Sequence, residues 1–238
     1  MKNVAIFQFS PTEGPGHLAD FLSRRGIGWQ LIRMDVDGAV PANSTDFSGI
    51  VMMGGPMSVN DPVPWIPPLL ALIRHAVDND VPLLGHCLGG QFIAKALGGE
   101  VTNNKCKERG WHEVDMMGGA SAVPWFGGIQ GFTTFQWHYQ TFSIPPGAVQ
   151  VLRNDYCENQ AFALGPHIGF QCHIEMTAEM VKTWCANSAE EAAVADGTPS
   201  VQPVAQILSD LDTHVSQLNR LADSVYTQWV NGFKKVKN

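Results

Sequence analysis

Basic residues are few. The 238-residue chain carries 15 Lys and Arg against 22 Asp and Glu, a formal charge of −7, whereas a surface that displaces counterions from a phosphate backbone needs the opposite balance. A nucleic-acid partner is not expected. Charged residues of both signs make up only 16% of the chain and hydrophobic ones 45%, which places it with ordinary globular proteins rather than disordered ones. No segment approaches the ~18 uninterrupted apolar residues of a membrane span. The five cysteines include no Cys-x-x-Cys pair, so neither a disulfide framework nor a zinc ribbon is indicated and a reducing compartment fits best. The amino terminus runs into a strand-like segment without the apolar stretch and cleavage site of a signal peptide, and a cytoplasmic location is expected. Neither Gly-x-x-x-x-Gly-Lys-Ser/Thr nor His-Glu-x-x-His occurs, leaving ATP-loop and zincin chemistry unsupported and no metal or cofactor expected.

The first half alternates β-branched runs with helix-period runs, the pattern of a parallel sheet covered by helices. Val4 to Phe9, Trp29 to Met34, Gly49 to Met53 and Val81 to Gly85 read as strands. Leu18, Phe21 and Leu22 stripe one helix; Ile66, Leu69, Leu70, Ile73 and Val77 stripe a second, with Pro67 and Pro68 in its first turn. Leu88, Phe92, Ile93, Ala96 and Leu97 form the face of a third, which Gly98-Gly99 stops. Val101 to Gly169 is richer in Gly, Pro and aromatics and reads as shorter strands and turns. A helix follows Thr177, and residues 196–200 read as a linker. Beyond it, Val204, Leu208, Leu211, Val215, Leu218, Ala222, Val225 and Trp229 form a heptad seam. Packing of this helix, whole or broken, on the domain's own surface is the favoured reading; a homodimer or partner interface is the alternative. The expectation is an α/β three-layer fold with a largely parallel central sheet, residues 1–195 as the catalytic domain and 196–238 as a helical extension packed on it.

The most informative stretch is Leu83-Leu84-Gly85-His86-Cys87-Leu88-Gly89-Gly90-Gln91, a strand delivered through a tight turn into a helix with Cys87 at the apex. A nucleophile elbow has this geometry, its glycines removing side chains that would clash. The helix start contributes a positive end that favours a thiolate, and backbone N–H groups for an oxyanion. The bland alternative, a small core cysteine, accounts for neither glycine. A cysteine nucleophile needs a base and a group to orient it. His173 and Glu175, two residues apart on a strand-like segment, project to one side; His173 would exchange the proton while Glu175 holds the imidazole. By itself His-x-Glu is weak, and it gains its meaning from Cys87. His86 adjoins the nucleophile but points oppositely, so it is expected to pack below the elbow. Gly14-Pro15-Gly16 with Asp35 imitates a dinucleotide fingerprint, but Ser10 to Glu13 separate strand from first glycine and Pro15 stiffens the loop, so an ordinary βα loop is expected.

Together these residues resemble the class I, triad-type glutamine amidotransferases, in particular stand-alone members related to the glutaminase part of GMP synthetase. The resemblance runs from about Val4 to Cys185. Gly85, Cys87, Gly89 and Gln91 match the family's Gly-x-Cys-x-Gly-x-Gln, and His173 and Glu175 its His-Pro-Glu, with Ile174 replacing proline. Met53-Gly54-Gly55-Pro56 looks like its oxyanion loop, and Lys107-Glu108-Arg109-Gly110-Trp111, Trp137-His138 and Glu158 to Phe162 are similar to further segments.

The resemblance implies oxyanion donors at the amides of Gly55 and Leu88, and substrate binding by Gly54, Gln91, His138 and Tyr139. It implies cleavage of glutamine to glutamate and ammonia through a γ-glutamyl thioester, with a separate synthetase subunit as one destination for the ammonia. A free-standing γ-glutamyl hydrolase or peptidase is the alternative, since Tyr139 and Gln140 stand where the family often has a small residue followed by Asp. A non-catalytic binding module is the reading from a different class, disfavoured by the intact Cys87, His173 and Glu175.

Overall fold

The computed structural model of the chain describes residues 1–36, 38–117, 119–187 and 197–234. The boundary expected at 195/196 lies outside the described residues, as does Asp196 of the linker.

Nine strands form one sheet in the order β2-β1-β3-β4-β9-β8-β7-β5-β6. The strands β1 (Val4–Gln8), β2 (Trp29–Arg33), β3 (Gly49–Met52), β4 (Leu83–His86) and β9 (His167–Phe170) are mutually parallel. An antiparallel wing of β8 (Ala161–Leu164), β7 (Val149–Arg153), β5 (Val101–Met116) and β6 (Gly131–Phe142) continues the sheet. Side-chain alternation sorts β1 between two cores: Val4 and Ile6 face one, Ala5 and Phe7 the other. The first core is completed by α1 (Gly16–Arg24), α4 (Val123–Phe126), α5 (Ala178–Asn187), α6 (Val204–Ile207) and α7 (Leu211–Asn231), the second by α2 (Ile66–Asp78) and α3 (Leu88–Ala96). The three-layer α/β expectation holds. Among the described residues no helix is long and apolar enough to cross a membrane.

One expectation holds only in part, for β7, β8 and β9 are short strands as read. The segment read as short strands and turns contains the longest strands of the sheet, β5 with 16 residues and β6 with 12. Their pairing shifts register between Asn103 and Glu108, and Gly110 sits inside β5 at φ +104°. A bulge and a left-handed residue break the period-two pattern that would mark one long strand.

The heptad seam is buried against the chain itself. Leu211, Val215, Leu218, Ala222, Val225 and Trp229 of α7 join the first core, while Leu208 is 38% exposed at a break where Asp210 takes φ +49°. Polar ties fasten α7 to α1: His17 Nε2 lies 2.8 Å from Asp223 Oδ1, and Arg25 Nη2 donates to Thr227 Oγ1 at 2.8 Å.

The tightest part of the fold is the step from β4 into α3. Cys87 has φ 50° and ψ −106°, outside the regions open to an L-residue at low cost. Such a conformation survives because its surroundings leave no alternative. A Cβ on Gly89 would lie 2.0 Å from the Met52 carbonyl oxygen, so the first turn of α3 rests directly on β3. The outcome is a side chain held at the carboxyl edge of the sheet, where parallel α/β folds place their ligands. At this position the usual preference for alanine over glycine reverses: Cys87→Gly should be about 1 kcal/mol more stable than Cys87→Ala in chemical denaturation. An alanine variant as stable as the glycine variant, or more so, would show the elbow to be relaxed.

Candidate active site

Three strand ends converge on Cys87. The loop after β3 supplies Gly54 and Gly55, β4 ends at the thiol, and the segment after β9 brings Gln171, His173 and Glu175. His173 is fixed at its backbone by donating to the Phe135 carbonyl at 2.9 Å, and Trp184 stands edge-on to its ring at 4.9 Å. Its Nδ1 donates to Glu175 Oε1 at 2.7 Å, which leaves Nε2 for the Cys87 sulfur. Burial works to lower the His173 pKa, but the Glu175 carboxylate and the neighbouring Cys87 sulfur outweigh it and hold the imidazole well above its ordinary value.

Glu175 is 1% exposed. Burial alone would raise its carboxyl, yet His86, His173 and the 2.7 Å hydrogen bond bring it down to about 2. His86 is fully buried beneath the elbow, stacked on Phe170 at 5.9 Å, and its Nδ1 lies 3.2 Å from Glu175 Oε2 without hydrogen-bond alignment. Burial depresses the His86 pKa. The carboxylate therefore lies between two imidazoles, and sequence reasoning, which placed His86 below the elbow, missed that Glu175 reaches it.

The thiol opens into a cavity of about 420 Å³ that is also lined by Gly55, Leu88, Gln91, His138 and Tyr139. Gly55 packs so closely on Leu88 that a Cβ there would meet Leu88 Cδ2 at 2.6 Å, and both residues line the cavity. Gln91 Nε2 donates to Gln171 Oε1 at 3.1 Å, and Gln171 Nε2 donates to Cys87 Sγ at 3.5 Å. Gln171 was not singled out in the sequence, although it lies two residues before His173. The His138 ring nitrogens face the Gln140 carbonyl at 3.0 Å, the Gln136 side-chain oxygen at 3.2 Å and Glu108 Oε2 at 3.0 Å, so its side chain is tied into the wall. Tyr139 is 56% exposed at the mouth.

Gly54 lies beside the imidazole. Its missing side chain makes room for Glu13, whose Oε2 would lie 2.2 Å from a Cβ there, and for His173, whose Cε1 would lie at 3.1 Å. Glu13 is a second residue that sequence reasoning missed: it lines the cavity, and burial pushes its carboxyl from an ordinary 4.5 up to about 7. The loop that imitates a dinucleotide fingerprint serves this geometry. Gly16, at φ +47°, lets the chain approach Glu175 so closely that a Cβ would stand 2.3 Å from the Glu175 carbonyl oxygen, which accepts from His17 N at 2.9 Å. Asp35, the acidic residue of that pattern, is paired with Arg33 at 2.7 Å.

The other thiols have no comparable setting. Cys172 is fully buried and its pKa is pushed up by burial, and Cys157 is pushed up to about 12. Glu108, His138 and Cys157 lie close enough for a metal ion, but Glu108 already accepts from Asn154 at 2.6 Å and Gln160 at 2.8 Å. That cluster reads as a satisfied polar network.

Comparison with known proteins agrees with this architecture. The family model for class-I glutamine amidotransferases matches residues 17–189. The crystal structure of a glutamine amido transferase from Methylobacillus flagellatus is 51% identical and superposes with a TM-score of 0.97, covering all of this chain and 98% of that one. The glutamine amidotransferase-like protein YfeJ of Salmonella typhimurium is 28% identical over 202 residues, 82% of this chain and 84% of YfeJ. GMP synthase [glutamine-hydrolyzing] of Vibrio vulnificus is 31% identical over 159 residues, 64% of this chain but only 28% of that longer protein. With a matching family model over most of its length and a fold that superposes on a glutamine amido transferase, the chain belongs to the class I glutamine amidotransferases.

Proposed function

We propose that the chain hydrolyses the side-chain amide of a γ-glutamyl substrate, glutamine being the simplest, through Cys87, His173 and Glu175. The observation that carries this reading is the thiol held at a strained elbow in the same cavity wall as two amides, with a carboxylate-braced imidazole behind it. With its proton already on His173, the Cys87 sulfur attacks and forms a bond to the γ-carbonyl carbon. The oxyanion is received by the Gly55 and Leu88 amides, each worth about 3 kcal/mol of barrier. The C–N bond then breaks as His173 protonates the departing nitrogen. Water, deprotonated by His173, cleaves the thioester and restores the thiol. Gln91 and the backbone around His138 and Tyr139 hold the substrate's amino-acid end. Relatedness to GMP synthase makes a separate ammonia-accepting synthetase one partner, which this reading leaves optional because the cavity is complete within the chain.

Glu13 has a place in this scheme. Its carboxyl, next to His173, is held by burial at a pKa of about 7, so at neutral pH it carries less negative charge than an ordinary glutamate and competes less with Glu175 for the imidazolium.

Two results are expected. Cys87→Ser should lower glutamate release from glutamine by at least about 10³-fold while leaving the circular dichroism spectrum unchanged; retained turnover would remove the hydrolase reading. Glu13 has a folded-state pKa above its unfolded one, so its contribution to stability is fully present below about 4.5 and is lost as pH rises through about 7. Wild type and Glu13→Gln should therefore melt together at pH 4.5, with the variant roughly 3 °C higher at pH 8. A gap independent of pH would show that Glu13 ionises as an ordinary surface acid.

A further inference from the structure

One cation in the cavity wall has no counterpart among the described residues. Arg109 lines the same cavity as Cys87 and is 8% exposed. Its backbone is pinned on both sides: the Arg109 N–H donates to the Ser200 carbonyl at 2.9 Å, and its carbonyl accepts from Gln202 N at 3.0 Å. The guanidinium lies over the Trp137 ring at 5.5 Å. Among the described residues, Nε and Nη2 have no hydrogen-bond partner, and no carboxylate is paired with the side chain. Those two nitrogens form the edge of a guanidinium that meets a carboxylate side-on with two parallel hydrogen bonds. A buried charge with unmet donors is destabilising to the folded chain, and such groups are retained where a ligand completes them.

The acids of the cavity do not serve. Glu108, adjacent in sequence, is occupied by Asn154, Gln160 and His138. Glu13 lies against Gly54, toward His173. Among the described residues no acid answers Arg109, which leaves an anion carried by the substrate as its partner. Lys107, exposed on the rim of the same cavity, adds charge of the same sign and draws such an anion in.

The proposed γ-glutamyl reaction, on which this inference rests, leaves two carboxylates to consider. The first is the one on the glutamyl end, which Gln91 and the backbone near His138 and Tyr139 already serve. The second is carried by the leaving amine. When free glutamine is the substrate that amine is ammonia, which offers Arg109 no anion. We propose that Arg109 receives a carboxylate on the leaving group, making γ-glutamyl amino acids and peptides the substrate class that the cavity is shaped for. The chemistry is that of the amide hydrolysis above: the sulfur–carbonyl bond forms, the carbon–nitrogen bond breaks, and the amino acid departs with the proton from His173.

The test compares glutamate release from γ-glutamylglycine, γ-glutamylglycinamide and glutamine. The two dipeptides differ in the terminal charge alone. Wild type should favour the carboxylate dipeptide over its amide by about 10-fold or more in kcat/KM, and Arg109→Gln should bring that ratio to about one. Equal cleavage of the two dipeptides by wild type, or a ratio that Arg109→Gln does not change, would overturn the inference while leaving the hydrolase reading standing. The wild-type comparison decides even if the variant fails to fold. Release from none of the three, with Cys87 unmodified, would remove both.

Discussion

A carboxylate with 1% of its surface exposed is the constraint on which the rest of the site depends. Left alone, Glu175 would take up a proton, because burial penalises its charge far more than it penalises the neutral acid. Two imidazoles prevent this, His173 at 2.7 Å and His86 at 3.2 Å. Their demands differ. His173 is held above its ordinary pKa and His86 below it, so the positive charge of the trio belongs to the ring that faces the thiol. Environments that push two like groups in opposite directions are a recurrent means of assigning acid and base roles.

Keeping that carboxylate dry takes much of the molecule. Tyr226 of α7 is fully buried edge-on to His86 at 6.3 Å, and burial beside Glu175 raises its own pKa. The C-terminal helix, drawn from a segment beyond the matched family region, thus forms part of the floor beneath the site. From the other direction, the Gly14-Pro15-Gly16 loop closes on the Glu175 backbone, and Trp184 of α5 seals His173. Structural support and proposed chemistry are therefore hard to separate: an insertion in α7 or in the first βα loop alters the same polar trio.

Much of this was legible in the sequence, and what was missed has physical causes. The elbow declares itself locally, because glycines at 85 and 89 flanking a cysteine at a strand-to-helix switch answer a steric demand that the structure displays at Met52. The parallel half of the sheet followed from alternating strand and helix periods. The β5–β6 pair did not, because a bulge and Gly110 interrupt its alternation. His86, Glu13 and Arg109 share another reason. Each acquires its significance from a residue distant in sequence, Glu175, Gly54 and the cavity wall respectively, and no periodicity reports such encounters. Gly54 shows the converse: resemblance singled it out, and the physical reason, that its lack of a side chain accommodates Glu13 and His173, emerges only in three dimensions.

A γ-glutamyl thioester on Cys87 is the species that unites the strained elbow, the paired amides and the braced imidazole. Mixing the protein with excess glutamine, or with γ-glutamylglycine, quenching in acid within the first turnovers and mapping the digest by mass spectrometry would detect it. The glutamyl group is predicted on the peptide that contains Cys87. Its absence there under conditions of turnover, or its presence on Cys106, Cys157, Cys172 or Cys185 instead, would contradict the assignment of Cys87 as the nucleophile.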